Sequence, residues 1–538
     1  MPALLLNQKP AARPAAAVEL VRQALQLQSH HRKLDAARCY ARALQLQPGF
    51  AEAAFNLGLL FQEMGQLQPA IGCYRRTLQA RSSYVPAWSN LGVALRDSGD
   101  IAEAIASFRQ ALRLEPDSPS VLNNLGNALR SGLRQDEAIT SFREAIRRDP
   151  DNAGIYENLG NALRESGRAT EAVESFRHAL RLQPDFAEAH WDLAFALLLQ
   201  GDFAHGLDEY EWRWQLPDFS PRQFAAPLWQ GEDLSGRILL VHTEQGAGDA
   251  IQFIRFTSAL AARGARVLLE CPRCLAALFA SAEGISEIIV KGEPSPKIDW
   301  HVPLLSLPHR LGTRLVSIPA RVPYLSPPTD RRLPLPSCGP GHGASLKVGL
   351  VWRGNPKHKN DRHRSLPPAL LEPLWALEPV SFYSLQAGSA AATDLAPGGA
   401  RLVDLSGCLR DYGDTAALLQ QLDLVISVDT SVAHLAGALA KPAWVLLPFA
   451  PDWRWLVGRE DSPWYPTLRL FRQPAPGDWA TVIEAVRAAL TARLSRTVSN
   501  SLTHLQAPAA ARQKCEAPAK VLTGPADNPS DREAAGGL

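Results

Sequence analysis

The sequence predicts an α+α/β multidomain chain: an all-α superhelix of repeats, followed by a two-lobed α/β domain. Three observations carry that prediction. Residues recur at a period of 34 through the first 200 positions, short β-branched runs alternate with helical stretches from Arg237 onward, and a Pro-, Gly- and Ser-rich stretch at 326–345 cuts that alternation in two.

Within the repeats, Leu57-Gly58, Leu91-Gly92, Leu125-Gly126 and Leu159-Gly160 recur without gaps, with Leu193-Ala194 as a weaker copy. Twelve residues after each glycine stands Ala70, Ala104, Ala138 or Ala172, and four further on Tyr74, Phe108, Phe142 or Phe176; Pro48, Pro116, Pro150 and Pro184 punctuate the ends. Small residues let two antiparallel helices approach, the aromatic ring fills the gap between them, and proline stops the second helix. Six helical hairpins are expected, at 17–50, 51–84, 85–118, 119–152, 153–186 and a degenerate 187–214 that caps the stack, after a flexible N-terminus at 1–16. The pattern resembles the tetratricopeptide repeat (TPR), which the unit 85–118 meets at Trp88, Leu91, Gly92, Ala104, Phe108, Ala111 and Pro116.

Two polar ladders run along the first helices. Asn56, Asn90, Asn124 and Asn158, followed by Asp192, hold one equivalent position, and Arg96, Arg130 and Arg164 another six residues on. An asparagine amide can hydrogen-bond the backbone of an extended peptide whatever its side chains, which makes the ladder a candidate acceptor-binding surface. The arginines serve the same groove or are simply a repeated solvated residue. The run Asn-Leu-Gly-Asn-Ala-Leu at 124–129 and 158–163 resembles the repeats of the O-linked N-acetylglucosamine transferases, and that resemblance implies a protein substrate held by the asparagines.

Bulk composition sets limits on the rest. With 538 residues, 46% hydrophobic, 20% charged and a net charge of +2, the chain is expected to be a globular protein of three to four domains that does not bind nucleic acid through overall charge. The longest apolar run, 193–199, is far too short to cross a membrane, and the N-terminus lacks a signal-peptide pattern, so a cytoplasmic location is expected. Seven scattered cysteines argue for reduced thiols; the pair Cys271 and Cys274 has no second pair to complete a metal site.

After a connector at 215–236, the α/β part divides into a first lobe at 237–325, a linker at 326–345, a second lobe at 346–495 and a disordered tail at 496–538. Strands are expected at 238–242, 267–270, 288–290, 348–352, 382–385, 424–427 and 444–447. In parallel sheets ligands bind beyond the carboxyl ends of the strands, so three strand-to-helix turns are the candidate sites. The first holds Gly246, Gly248 and Asp249, but a dinucleotide fingerprint needs a small residue where Ile251 stands. The second holds Asp429, Thr430, Ser431 and His434, where helix N-terminal N–H groups could cradle a diphosphate. The third is the basic run 353–364, with Asn355, Lys359 and Arg364, whose cations could balance a leaving diphosphate. In their plainer roles Asp249, Asp429 and Thr430 cap helices, His434 is a core histidine, and the basic run is a solvated loop. The aromatics Trp453, Trp455, Trp464 and Tyr465 either stack on a ligand or fill the core.

The first turn resembles the Gly-Asp of the ADP-heptose:lipopolysaccharide heptosyltransferases, and the second, with Ala438-Leu439 and Lys441-Pro442 after it, their Asp-Thr-Gly-x-x-His. The chain departs from that pattern at Ser431 and at 447–451. The resemblance implies a Rossmann-like, GT-B-type domain that moves a sugar from a nucleotide-sugar co-substrate, with an acceptor-side first lobe and a donor-side second lobe. It implies Asp249 as general base and Asp429, Thr430, His434 and Arg364 as donor contacts, by an inverting route with no cofactor and no metal. The arrangement resembles bacterial repeat-fused glycosyltransferases, some of which modify proteins such as flagellin. The alternative is a scaffold whose repeats bind a partner and whose transferase lobes have lost activity, which the short first lobe favours.

Overall fold

The computed structural model describes residues 13–219, 221–336, 345–357, 360–387 and 402–505. Two compact units divide at residue 486; everything below except the end of the last helix lies in the first, 1–485.

The repeat region folds into six helical hairpins. Their first helices are Arg13–Ser29, Ala51–Glu63, Val85–Ser98, Pro119–Ser131, Ala153–Glu165 and Ala187–Leu199, and their second helices are Lys33–Leu46, Leu67–Ala80, Ile101–Leu114, Gln135–Arg148, Ala169–Leu182 and Phe203–Tyr210. The Gly-to-aromatic spacing has a direct cause: a methyl added at Gly126 or Gly160 would stand 2.5 Å from the ring of Phe142 or Phe176. Only glycine lets the buried ring lie flat on the facing helix. In the hairpins at either end alanine replaces the glycine at the same spacing from a tyrosine, Ala24 with Tyr40 and Ala194 with Tyr210, and all four are buried. Between second helices, Arg75–Glu103, Arg109–Glu137 and Arg143–Glu171 repeat one exposed ion pair at 2.6, 3.3 and 3.2 Å.

The sixth hairpin does not cap the stack. In helix Ala187–Leu199, Leu193, Ala196 and Leu197 pack toward the repeats, while Ala194, Leu198 and Leu199 join a core that continues through both sheets of the α/β domain. A helix that is apolar all round is one buried on two sides, and that is the origin of the run 193–199. Phe203 then sits 6.0 Å from Trp453 and 5.9 Å from Trp464, with Phe253 5.7 Å from Trp464, so one aromatic cluster joins the last repeat to both lobes. Trp453, Trp455, Trp464 and Tyr465 are all buried and fill this core.

The α/β domain contains two parallel sheets. The first comprises β1 (Ile238–His242), β2 (Arg266–Cys271), β3 (Ile285–Val290) and β4 (Trp300–Pro303), in the order β3-β2-β1-β4. The second comprises β5 (Leu346–Val351), β6 (Val380–Ser384), β7 (Leu402–Asp404), β8 (Leu424–Val428), β9 (Ala443–Leu447) and β10 (Leu468–Arg472), in the order β10-β9-β8-β5-β6-β7. The runs read in the sequence omitted β4, β7 and β10, which lie at sheet edges. In the second sheet the order reverses between β5 and β8, and a crevice forms beyond the carboxyl ends at such a switch point.

Several expected boundaries shift. The first helix begins at Arg13, inside the stretch 1–16, of which residues 1–12 lie outside the described residues. The connector 215–236 is tied into the first sheet: Leu228 bridges His301, and Trp229 is fully buried with its N–H on the His301 carbonyl. The first part of the linker 326–345 is docked, with Arg331 on Asp411 and Asp414 at 3.1 and 2.8 Å; residues 337–344 lie outside the described residues. The last helix, Trp479–Leu505, runs ten residues into the expected tail, whose remainder, 506–538, also lies outside them.

Candidate functional site

The β1 turn and the β8 turn meet. Helix Ala247–Phe253 follows β1 and helix Ser431–Ala438 follows β8, and their N-terminal ends touch: a methyl on Gly248 would lie 3.1 Å from His434 and 3.3 Å from the Ser431 backbone. Gly248 therefore serves close packing inside a helix and not a turn, while Gly246 is the N-cap of that helix with φ −66°. A cleft of about 1910 Å³ opens beyond these ends. Its walls include Gly246, Gly248 and Asp249 from the first lobe, and Asn355, Arg364, Asp429, Thr430, Ser431 and His434 from the second. Arg130 and Arg164 of the repeats line the same cleft, so the groove of the stack and the crevice of the lobes are continuous. Lys359 lies outside the described residues.

Asp249 occupies the third position of its helix. One carboxylate oxygen accepts the Gly246 N–H at 3.0 Å, and the other accepts from Arg454 at 2.6 Å. Arg454 also pairs with Asp452 at 2.8 Å and is buried. Burial alone would disfavour its charge, but Asp452 and Asp249 outweigh that and hold its pKa above the ordinary range. Arg454 thus bridges the two lobes at the base of the cleft. Nothing local in the run Asp452-Trp453-Arg454-Trp455 marks Arg454, because its partner Asp249 stands in the other lobe.

On the facing wall, Arg364 donates to the Asp429 carbonyl at 3.1 Å and to the Asp361 carboxylate at 3.2 Å. Gly354 is required beneath them, since a methyl there would collide with both side chains. Burial, then the nearby charge of Asp452, pushes the Asp429 carboxyl above its ordinary range, against the cations Arg364 and Arg454. Thr430 is the N-cap of its helix without using its side chain, which meets Ser427 at 2.9 Å; Ser431 accepts the Tyr412 hydroxyl at 2.8 Å. His434 is buried, 3.0 Å from the Tyr465 hydroxyl, and burial lowers its pKa to about 3, so it is neutral there. Asn355 is exposed and accepts the Lys357 N–H at 3.0 Å.

The comparisons with known proteins bear on the repeats. Residues 21–85, 89–153 and 141–174 match the family described as tetratricopeptide repeat, and residues 160–201 match TPR repeat. The N-terminal stack is a tetratricopeptide-repeat array. A curated relative, Protein FlbA of Caulobacter vibrioides, is 29% identical over 333 residues, 55% of this chain and 54% of the relative, so the chain spans about half the length of the relative it matches. Among solved structures, the MamA protein aligns over 32% of this chain and 94% of its own, at 22% identity and TM-score 0.30. YrrB, described as a TPR protein with an unusual peptide-binding site, aligns over 32% and 89%, at 22% identity and TM-score 0.30. The Pseudomonas aeruginosa pilF product aligns over 38% and 94%, at 18% identity and TM-score 0.33.

In the TPR array the two ladders behave differently. Asn56, Asn90, Asn124 and Asn158 are all half-buried on first helices. Asn158 is engaged, donating to Gly154 and Asn123 at 2.9 and 3.2 Å, whereas Asn90 and Asn124 make no side-chain hydrogen bond among the described residues. The arginines separate: Arg96 turns onto Asp97 at 2.8 Å and is not part of the cleft wall, while Arg130 and Arg164 are. Asp192 shares Asn161 with Glu157, the amide donating at 2.7 and 2.6 Å, and burial with the Asp192 charge raises the Glu157 pKa.

Other candidates resolve as structure. Glu270, near the carboxyl end of β2, is buried and engaged by both terminal nitrogens of Arg222. Cys271 is buried, which pushes its thiol up to about 12, away from thiolate chemistry. Among the described residues no three His, Cys, Asp or Glu side chains are grouped to hold a metal ion, and no helix is long and apolar enough to cross a membrane.

Proposed function

We propose that the chain is a cytoplasmic glycosyltransferase that moves a sugar from a nucleotide-sugar donor to a hydroxyl of a protein held by the TPR array. The observation that carries this is the meeting of the β1 and β8 turns in one cleft whose remaining wall is the array, which lets donor and tethered acceptor share a chamber. In this reading Arg364, with the N-terminal N–H groups of helix Ser431–Ala438, binds the diphosphate. Asp249 takes the proton of the acceptor hydroxyl as its oxygen bonds to the anomeric carbon and the nucleoside diphosphate departs with the electron pair of the broken C–O bond.

The test is thermal denaturation against UDP-, ADP-, GDP-, dTDP- and CMP-linked sugars. One nucleotide class should raise the melting point, by the equivalent of ~2.7 kcal/mol at 100 times its Kd. Asp429→Asn should abolish that shift, and Asp249→Asn should keep it while losing transfer. No shift from any donor at saturating concentration sinks the proposal. A second reading, the inactive scaffold, is favoured by the Asp249–Arg454 pair, which already occupies the candidate base.

A further inference from the structure

The cleft is chemically divided. The second lobe lines it with Arg353, Lys357, Arg362, Arg364 and Arg410 beside the carboxylates Asp411, Asp429 and Asp452, and the fourth and fifth hairpins add Arg130 and Arg164; the sixth hairpin and the connector line it with Trp191, Phe195, Phe219, Glu188, Asp192 and Asp218 and contribute no Lys or Arg among the described residues. Trp191 is the centre of the second wall, 4.9 Å from Phe195 and 5.1 Å from Phe219, and all three rings are half-buried and open to the cleft. Tyr210 stacks beneath Trp191 at 4.9 Å, and its hydroxyl accepts from Gln245 at 3.0 Å, next to Gly246. The aromatic wall is therefore fixed against the turn that carries Asp249.

We propose that this wall is a docking surface for a basic segment of the protein partner, with a Lys or Arg side chain lying against Trp191 among Glu188, Asp192 and Asp218. The rings supply an apolar bed and negative π-faces, and the carboxylates supply opposite charge, a combination that selects a long cationic side chain over an acidic or a purely apolar one. The position identifies the partner further: its basic residue stands beside the hydroxyl presented to Asp249. The surface depends on the proposed function only for that last clause, since binding itself requires no donor.

The test is calorimetric titration of the full chain with a Ser-Lys repeat peptide, a Ser-Glu repeat peptide and a Ser-norleucine repeat peptide. The Ser-Lys peptide should bind about tenfold or more tightly than either alternative. Trp191→Leu, and separately the triple variant Glu188→Gln, Asp192→Asn, Asp218→Asn, should each remove that preference. The triple variant changes polar side chains of the cleft wall and guards against a folding defect. The net charge of the chain is +2, so non-specific attraction does not produce the expected order. Equal binding of the Ser-Glu peptide, a preference that survives the triple variant, or no Ser-Lys binding below ~1 mM overturns the inference. A lysine preference without any donor binding overturns glycosyl transfer alone, and donor binding without the preference overturns the docking surface alone.

Discussion

The TPR array and the α/β domain solve burial in opposite ways. Each hairpin of the array packs on its neighbours along the chain, and one glycine–ring contact is copied from unit to unit. The main core of the α/β domain is assembled from residues as distant as Leu198 and Leu470, with a smaller cluster of Leu240, Leu268 and Ile289 on the first sheet, and Arg255 of the first lobe donates to the Trp464 carbonyl of the second at 2.7 Å. Stability in the array is a sum of local terms, whereas in the domain it is held in common. The sixth hairpin belongs to both regimes. The lesson is that the function proposed for the cleft depends on the last repeat being part of the α/β core and not an attached module.

Removing a shared contact is the most severe way to break that contrast. Trp464→Ala, at a fully buried ring touching Phe203 and Phe253, should cost about 3–5 kcal/mol. Hydrogen exchange should then show the sixth hairpin and both lobes losing protection together. Loss confined to the second lobe would mean the core is not shared.

A smaller and local effect is expected in the array. Gly126→Val forces a side chain into the Phe142 ring and should cost about 1–3 kcal/mol, with exchange rising in the neighbouring hairpins and not in the sheets. If the lobes respond equally, stability in the array is not a sum of local terms.

Acid probes the comparison gradually, by less than the two substitutions for each ring over any single pH unit. His242 and His434 lie in the α/β domain, and burial lowers both to about 3, so the unfolded chain takes up protons that the folded chain refuses as pH falls below 6.5. Stability conferred by the neutral rings is present above pH 6.5 and is lost toward pH 3, at up to ~1.4 kcal/mol per pH unit for each ring. Melting curves should decline with acid, and His434→Gln should make the decline shallower. An unchanged acid slope in His434→Gln would refute this account of the buried ring.

Much of the array was legible in advance because its physics is local. The 34-residue period, the Gly126–Phe142 type of contact and the six units follow from helix geometry within a few dozen residues. Edge strands such as β4 and β7 were not legible, since three or four residues of a strand carry too little pattern. The run 193–199 carries a further signal: two helical turns apolar on every side announce two buried faces. Asp429, Thr430, Ser431 and Arg364, which line the cleft, stand out in the sequence by their place after strands, but Arg454 and Trp191, which line it too, do not, because their contacts come from elsewhere in the chain.

By itself, then, the sequence determined the period of the array, the division of the remainder into two parallel α/β lobes and the strand ends at which a ligand would sit. Those properties follow from backbone geometry and the spacing of apolar residues, which act over short distances along the chain. Tertiary structure alone decided that the last repeat enters the core, that Arg454 closes on Asp249 from 205 residues away, and that Trp191, Phe195 and Phe219 face the same cleft as Arg364. Such pairings form between segments that no local pattern links, and desolvation with charge complementarity, both properties of the folded arrangement, selects them.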